Sequence, residues 1–254
     1  MLAIALQSGS NGNSIYVEAD GARLIFDAGI SGKRAEQRLA ACGRDIRDVN
    51  AVILSHDHAD HVSCAGIYQR KFGLPIFATA KTLRAAGRYA LGPIEDVRHF
   101  KAGKSLAFGS VTVETVRTAH DGADGVVFVV DDGRSRLGIL TDLGHVFGGL
   151  KEVVESLDAV LVESNYDPDM LESGPYPDFL KRRIRGPGGH ISNIEAAELL
   201  AAAAGKRMKW ACLAHLSEQN NRPELALRTH RRILGDKLFL TVAGRYAATG
   251  PMEV

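Results

Sequence analysis

Apolar and polar positions alternate in short runs punctuated by glycine over the first thirty residues, and settle into helical spacing only towards the end of the chain. Met1–Leu6 reads as a strand that meets a polar turn at Ser8. Ser14–Glu18 and Ala22–Phe26 flank Asp20-Gly21, the strongest kind of two-residue hairpin signal. Lys33–Ala41 reads as a helix and Val52–Leu54 as a short buried strand, with a further helix expected from about Val62 to Lys71. Strand-like runs recur at Pro75–Ala78, Ser110–Arg117, Gly125–Val130, Leu137–Leu140 and Ala159–Val162, and Val153–Ser156 reads as the end of a helix. From Asp169 onward helices dominate: Ile194–Ala204, entered through Ser192-Asn193 and stopped by Gly205, and Pro223–Leu234. Met208–Leu213 and Leu238–Val242 read as the last strands. Early hairpins followed by strand–helix alternation predict an α/β protein with sheets covered by helices. With no internal repeat, low-complexity tract or linker, residues 1–254 form one domain.

Composition narrows this picture little. A hydrophobic share of 45% and a charged share of 24% are ordinary for a globular protein. The three cysteines, Cys42, Cys64 and Cys212, suggest no disulfide framework. The opening segment lacks a basic n-region, and no apolar run approaches a membrane span, so a soluble, cytoplasmic protein is expected. Charge is more informative. The formal net charge is +1, yet Lys181–Arg232 holds 11 basic and 4 acidic residues, a local +7 against −6 elsewhere. A near-neutral total therefore conceals a basic C-terminal third.

The strongest chemical signal is His56-Asp57-His58-Ala59-Asp60-His61, directly after the buried strand Val52–Leu54. Imidazole and carboxylate are the donors that a borderline cation such as zinc takes, and an i, i+2 spacing on extended chain sets His56 and His58 on one side. Gly189-His190 precedes Ser192-Asn193 and a helix start, where free backbone N–H groups beside hydroxyl and amide side chains suit a phosphate. His190 there is placed to bind a scissile phosphate or to protonate a leaving alkoxide. Asp57 is read as orienting ligands or water. Ser8, Ser10, Asn11 and Asn13 form a glycine-rich loop expected near the site, while His99, His145 and His230 fit no motif and Cys64 is read as packing.

The hexapeptide matches the HxHxDH signature of the metallo-β-lactamase fold superfamily. Ser8–Ser14, Thr141-Asp-Leu-Gly144, Glu163-Ser-Asn165, Gly174-Pro-Tyr-Pro177, Gly189–Asn193 and Ala214–Asn221 further resemble its YycJ/WalJ branch. Tyr166 departs from the histidine, and Ile191 from the leucine, found in that branch. The resemblance implies a four-layer αββα sandwich with a dinuclear site of zinc or manganese, with iron also compatible. It makes His56, His58 and His120 the ligands of one ion and Asp60, His61 and His215 those of the other, with Asp142 bridging both. A carboxylate stands where the classical β-lactamases have cysteine, which argues against β-lactam hydrolysis. It also implies a 5′-to-3′ exonuclease that attacks duplex DNA with a hydroxide held between the metals. Lys181, Arg182 and Arg183, with the runs Lys206–Lys209 and Arg222–Arg232, are expected to contact the duplex backbone. Two alternatives remain open on the residues alone: a small-molecule hydrolase of cyclic phosphodiesters or thioesters, and a non-catalytic, metal-stabilised nucleic-acid-binding protein.

Overall fold

In the computed structural model, which describes residues 1–254, the opening alternation becomes an antiparallel meander of β1 (Leu2–Gln7), β2 (Ser14–Ala19) and β3 (Ala22–Phe26). The Asp20-Gly21 hairpin sets Ala19 opposite Ala22, so Asp20 and Gly21 take the positive φ values that this tight turn requires. Parallel pairing then adds β4 (Ala51–Ile53), β5 (Ile76–Thr79) and β6 (Val97–Phe100). The second sheet begins antiparallel with β7 (Leu106–Phe108), β8 (Val111–Arg117), β9 (Val126–Asp131) and β10 (Arg136–Leu140). It continues parallel through β11 (Ala159–Glu163), β12 (Trp210–Ala214) and β13 (Phe239–Val242). A last strand, β14 (Met252–Glu253), returns to pair with β1, which gives each sheet seven strands.

The period-2 pattern of these strands sorts side chains into three cores. Ala3, Ala5, Val17, Phe26, Val126, Phe128 and Leu161 meet between the sheets, where the Phe26 and Phe128 rings lie 4.9 Å apart. Their strand neighbours Ile4, Leu6, Tyr16 and Ile25 face outward against α1 (Gly32–Ala41), α2 (Ala59–Val62) and α3 (Ala65–Phe72). A further helix, α4 (Ala80–Ala86), follows β5. On the far side, Val127, Val129, Val160 and Val162 pack against α5 (Leu150–Glu155), α8 (Asn193–Ala203) and α9 (Pro223–Leu234). Short helices α6 (Pro168–Ser173) and α7 (Asp178–Arg185) project from the loop between β11 and α8. The result is the expected αββα sandwich. No helix is long and apolar enough to cross a membrane.

One expected element differs in a way that matters for the site. The helix read over Val62–Lys71 starts earlier and is broken at Ser63-Cys64 into α2 and α3. The Asp60 carbonyl, which would accept from Cys64 in a continuous helix, instead accepts the Asn13 N–H at 2.7 Å, and the Cys64 N–H turns to the Ala28 carbonyl at 2.9 Å. Tertiary hydrogen bonds from two loops thus override the local helical pattern. Gly29 makes the approach possible: a Cβ there would lie 1.7 Å from the Asp60 oxygen.

Candidate metal centre

The site gathers at the carboxyl ends of the parallel strands, where α/β sheets place their ligands. The chain leaving β4 delivers His56 and His58, and α2 carries Asp60 and His61. His120 follows β8, Asp142 follows β10, and His215 follows β12. Asp27, Asp142 and His215 hold φ values of 65°, 58° and 54°, a left-handed conformation that costs a non-glycine residue roughly 1–2 kcal/mol. Each is fastened by its surroundings. The His215 N–H donates to Ser8 Oγ at 2.8 Å and its carbonyl accepts from Asn165 Nδ2 at 2.8 Å. Thr118 Oγ1 donates to the Asp142 carbonyl at 2.6 Å, and the Asp27 N–H donates to the Ile53 carbonyl at 2.9 Å.

Two triads result. His56, His58 and His120 each offer a ring nitrogen within 4.8 Å of the others, and so do the donor atoms of Asp60, His61 and His215. Asp142 lies between them, with Oδ2 3.2 Å from His61 Nε2, and Oδ1 3.6 Å from His120 Nε2 and 3.5 Å from His215 Nδ1. Whether these residues fit cations can be judged from their hydrogen bonds. His56 Nε2 and Asp142 Oδ2 are buried with no hydrogen-bond partner, an arrangement a folded protein rarely leaves uncompensated. A cation at each triad would satisfy them, so the donor set fits metal.

The far nitrogens of the rings are held in turn. Asp27 Oδ2 accepts from His61 Nδ1 at 2.7 Å while Asp27 Oδ1 accepts the Ser55 N–H at 2.8 Å. Ser55 Oγ lies 2.9 Å from His56 Nδ1, and His120 Nδ1 donates to the Gly189 carbonyl at 2.7 Å. Such partners fix ring orientation and tautomer so that Nε2 faces the centre. The charges balance internally. Burial and the neighbouring imidazoles push His56 well below its usual range. Burial also opposes charge on His61 and His215, but the carboxylates around them prevail, lifting His61 well above the ordinary value and His215 to about 10. Burial likewise disfavours ionised Asp142, yet the surrounding histidines hold it well below the usual carboxylate range.

Two further carboxylates, Glu163 and Asp27, to which the sequence motifs assign no role, hold the centre together. Glu163 is fully buried, and its Oε1 accepts from His190 Nδ1 at 2.7 Å. It also accepts the backbone N–H groups of Asp142 at 3.3 Å, Leu143 at 3.2 Å and Ile191 at 3.1 Å. Burial raises its pKa, but His190 and His215 outweigh that and leave it at about 2. The one local signal was a carboxylate directly after four buried apolar strand residues. With Nδ1 on Glu163, His190 keeps Nε2 on the side of the cavity it lines.

At Ser192 and Asn193, where a phosphate cradle is expected, the structure shows side chains already engaged within the protein. Ser192 Oγ accepts the Glu195 N–H at 3.2 Å, and its own N–H donates to Glu195 Oε2 at 2.7 Å, a closed capping box. Asn193 is fully buried, accepting from Ser164 Oγ at 2.6 Å. Asp57 is buried as well: its Oδ1 accepts the Ala123 N–H at 2.6 Å and its Oδ2 meets Arg88 Nη1 at 2.8 Å, which makes it a loop anchor. Tyr166 packs on Leu171 and Ile184 and pairs through its backbone with Ser192.

The basic segment is dispersed. Arg183 lines the cavity and pairs with Asp121 at 2.8 and 3.0 Å, Lys181 donates to the Glu172 carbonyl, and Arg182 is exposed without a partner. Arg207 pairs with Asp158 before the start of β11, at the end of the sheet opposite the site. The eleven-residue α8 carries the chain about 16 Å from one end to the other, so the run Lys206–Lys209 follows the end of the helix remote from His190. His99 and His145 lie on the surface, and His230 is buried in α9.

The centre floors an open cavity of about 340 Å³, with Asp60, Asp142, His190 and His215 below and Tyr89, Tyr176 and Arg183 in the wall. Residues 8–184 match the model of the metallo-β-lactamase superfamily. The chain is 36% identical over 236 residues to exodeoxyribonuclease YycJ of Bacillus anthracis, covering 92% of this chain and 89% of that one. It is 37% identical over 229 residues to exodeoxyribonuclease WalJ of Streptococcus pneumoniae, covering 88% and 84%. Its fold is similar to that of the metallo-β-lactamase fold protein YhfI from Bacillus subtilis, with a TM-score of 0.75, 16% identity and 98% of each chain covered. The chain belongs to the metallo-β-lactamase superfamily.

Proposed function

We propose that this protein is a metal-dependent DNA exonuclease that removes nucleotides from the 5′ ends of duplex DNA, with two divalent ions held by His56, His58 and His120 and by Asp60, His61 and His215, and Asp142 shared between them. The observation that carries this reading is the pair of triads joined by Asp142 beside the His190–Glu163 pair. The similarity to two exodeoxyribonucleases over most of the chain supports the substrate class. When bound, the ions would supply an activated water and offset charge on the phosphate oxygens. Nitrogen and oxygen donors suit zinc or manganese, with iron also accepted.

The chain's own residues supply the rest. Asp27, Ser55 and the Gly189 carbonyl hold the ligand rings, so the centre is preorganised before substrate arrives. Glu163 accepts from His190 Nδ1 and so fixes the ring with Nε2 towards the cavity, placed to pass a proton to the leaving alkoxide. The test is a duplex labelled at either end, given to protein reconstituted with Mn²⁺ or Zn²⁺. Products should shorten from the 5′ end. Shortening from the 3′ end would reverse the polarity, and turnover of a cyclic phosphodiester or thioester with no DNA cleavage would replace the reading with a small-molecule hydrolase.

A further inference from the structure

The walls of the cavity carry a feature that the metal chemistry does not use. Asp57 stands between ligands His56 and His58, and Asp121 directly follows ligand His120. Each grips an arginine of a neighbouring element. Asp57 Oδ2 meets Arg88 Nη1 at 2.8 Å; the same guanidinium donates to Tyr89 Oη at 2.8 Å and lies 4.6 Å over the Tyr89 ring. Asp121 meets Arg183 of α7 at 2.8 and 3.0 Å, and the residues beside α7 include Tyr176, half-buried against Ile184 and Leu171. Both tyrosines line the cavity. The Asp57–Arg88 pair thus holds Tyr89 beside the loop of His56 and His58, and the Asp121–Arg183 pair ties α7, whose Ile184 packs in one cluster with Tyr176, to the loop after His120.

We infer that Tyr89 and Tyr176 form a clamp for the nucleobase of a single terminal nucleotide drawn out of the duplex before hydrolysis; this rests on the nuclease reading above. The volume suits one nucleotide at a time. A cavity of about 340 Å³ lies at the low end of pockets that enclose one small-molecule-sized group, roughly 300–1,000 Å³. Asp142 on its floor is 2% exposed, so a base pair with both its backbones cannot bring a phosphate down to it. An aromatic face is the sequence-independent way to hold an unstacked base, and removing a base from its stack is easiest where the pairing is already weak. Arg183, the one cation in the wall, suits the phosphate side of the same nucleotide.

The metal-loaded enzyme is given three 5′-phosphorylated duplexes with a terminal G·C pair, a terminal mismatch or a short unpaired 5′ end, and release of the first nucleotide is followed. The wild type should act about tenfold faster on the mismatched and unpaired ends than on the G·C end. Tyr89→Ala and Tyr176→Ala should each raise KM for DNA about tenfold with metal content per chain unchanged, and phenylalanine at either position should restore it. Equal rates on paired and unpaired ends, or alanine variants with wild-type KM, would overturn the clamp. Failure of the wild type to cut any of the three would remove the nuclease reading and the clamp with it.

Discussion

Glu163→Gln is the change whose consequence follows most closely from the geometry. The carboxylate accepts on both oxygens: His190 Nδ1 and the Asp142 N–H on one, and the Leu143 and Ile191 N–H groups on the other. An amide can accept on one side only. If its carbonyl keeps Leu143 and Ile191, its NH2 faces His190, whose Nδ1 must then accept, and the imidazole loses its carboxylate partner. A charge-assisted hydrogen bond of this kind contributes about 1.5–3 kcal/mol, which corresponds to a fall of about 10- to 150-fold in kcat. The Asp142 N–H, left facing a donor, should lower stability by about 1–3 kcal/mol. His190→Ala removes the group on which Glu163 acts, so the double variant should be no slower than His190→Ala alone. Single-turnover rates on a 5′-labelled duplex, at matched metal content for all four proteins, measure this. A folded Glu163→Gln protein at the wild-type rate, or two defects that multiply in the double variant, would refute the pairing of these residues.

Other consequences follow from the same structure. His190→Ala should keep the full metal content while losing most turnover; loss of an ion on metal analysis would make His190 a ligand. His215 and His61 carry raised pKa values without metal, so metal loading near pH 7.5 should release protons and tighten as pH rises; calorimetry in buffers of different ionisation enthalpy should detect at least one proton, and zero would contradict the charge balance described. His230 is buried with Nε2 unpartnered, and burial holds its pKa at about 4. The unfolded chain therefore binds more protons between about pH 6.5 and 4, and stability falls by up to about 3 kcal/mol as pH drops through that window. Denaturant titrations of His230→Leu across it should show a shallower decline, and an unchanged slope would exclude this residue as the cause. Gly29→Ala would force a Cβ to within 1.7 Å of the Asp60 carbonyl, so the strand-to-helix junction must shift. Unfolding measurements should show a loss above about 3 kcal/mol, and a loss under 1 kcal/mol would mean the junction is softer than its hydrogen bonds indicate.

What could be read in advance was what is local. The hairpin at Asp20-Gly21, the alternating strands and the capped helix after Ser192 depend on neighbours within a few residues. The HxHxDH spacing and the resemblance it carries imply the αββα layers and name Asp142 and the six residues that the fold brings together around it. The rest depended on which partners the fold sets against a side chain, several of them distant in the chain. Ser192 and Asn193 have phosphate-binding chemistry, but Glu195 and Ser164 already occupy it. The basic segment is continuous in sequence and divided in space, because α8 carries Arg207 to the opposite end of the sheet. Asp57 looks like a member of the ligand cluster and instead anchors Arg88. Glu163 became prominent only once the fold set His190 against it.

Metal titration of the stripped protein, with duplex hydrolysis and bound metal followed on the same samples, tests the central claim most directly. Hydrolysis should be absent without metal and appear as the second equivalent per chain binds, and Asp142→Ala should abolish it with loss of bound metal. Full activity at zero or one equivalent, or a protein saturated with two ions that leaves every DNA end intact, would contradict it.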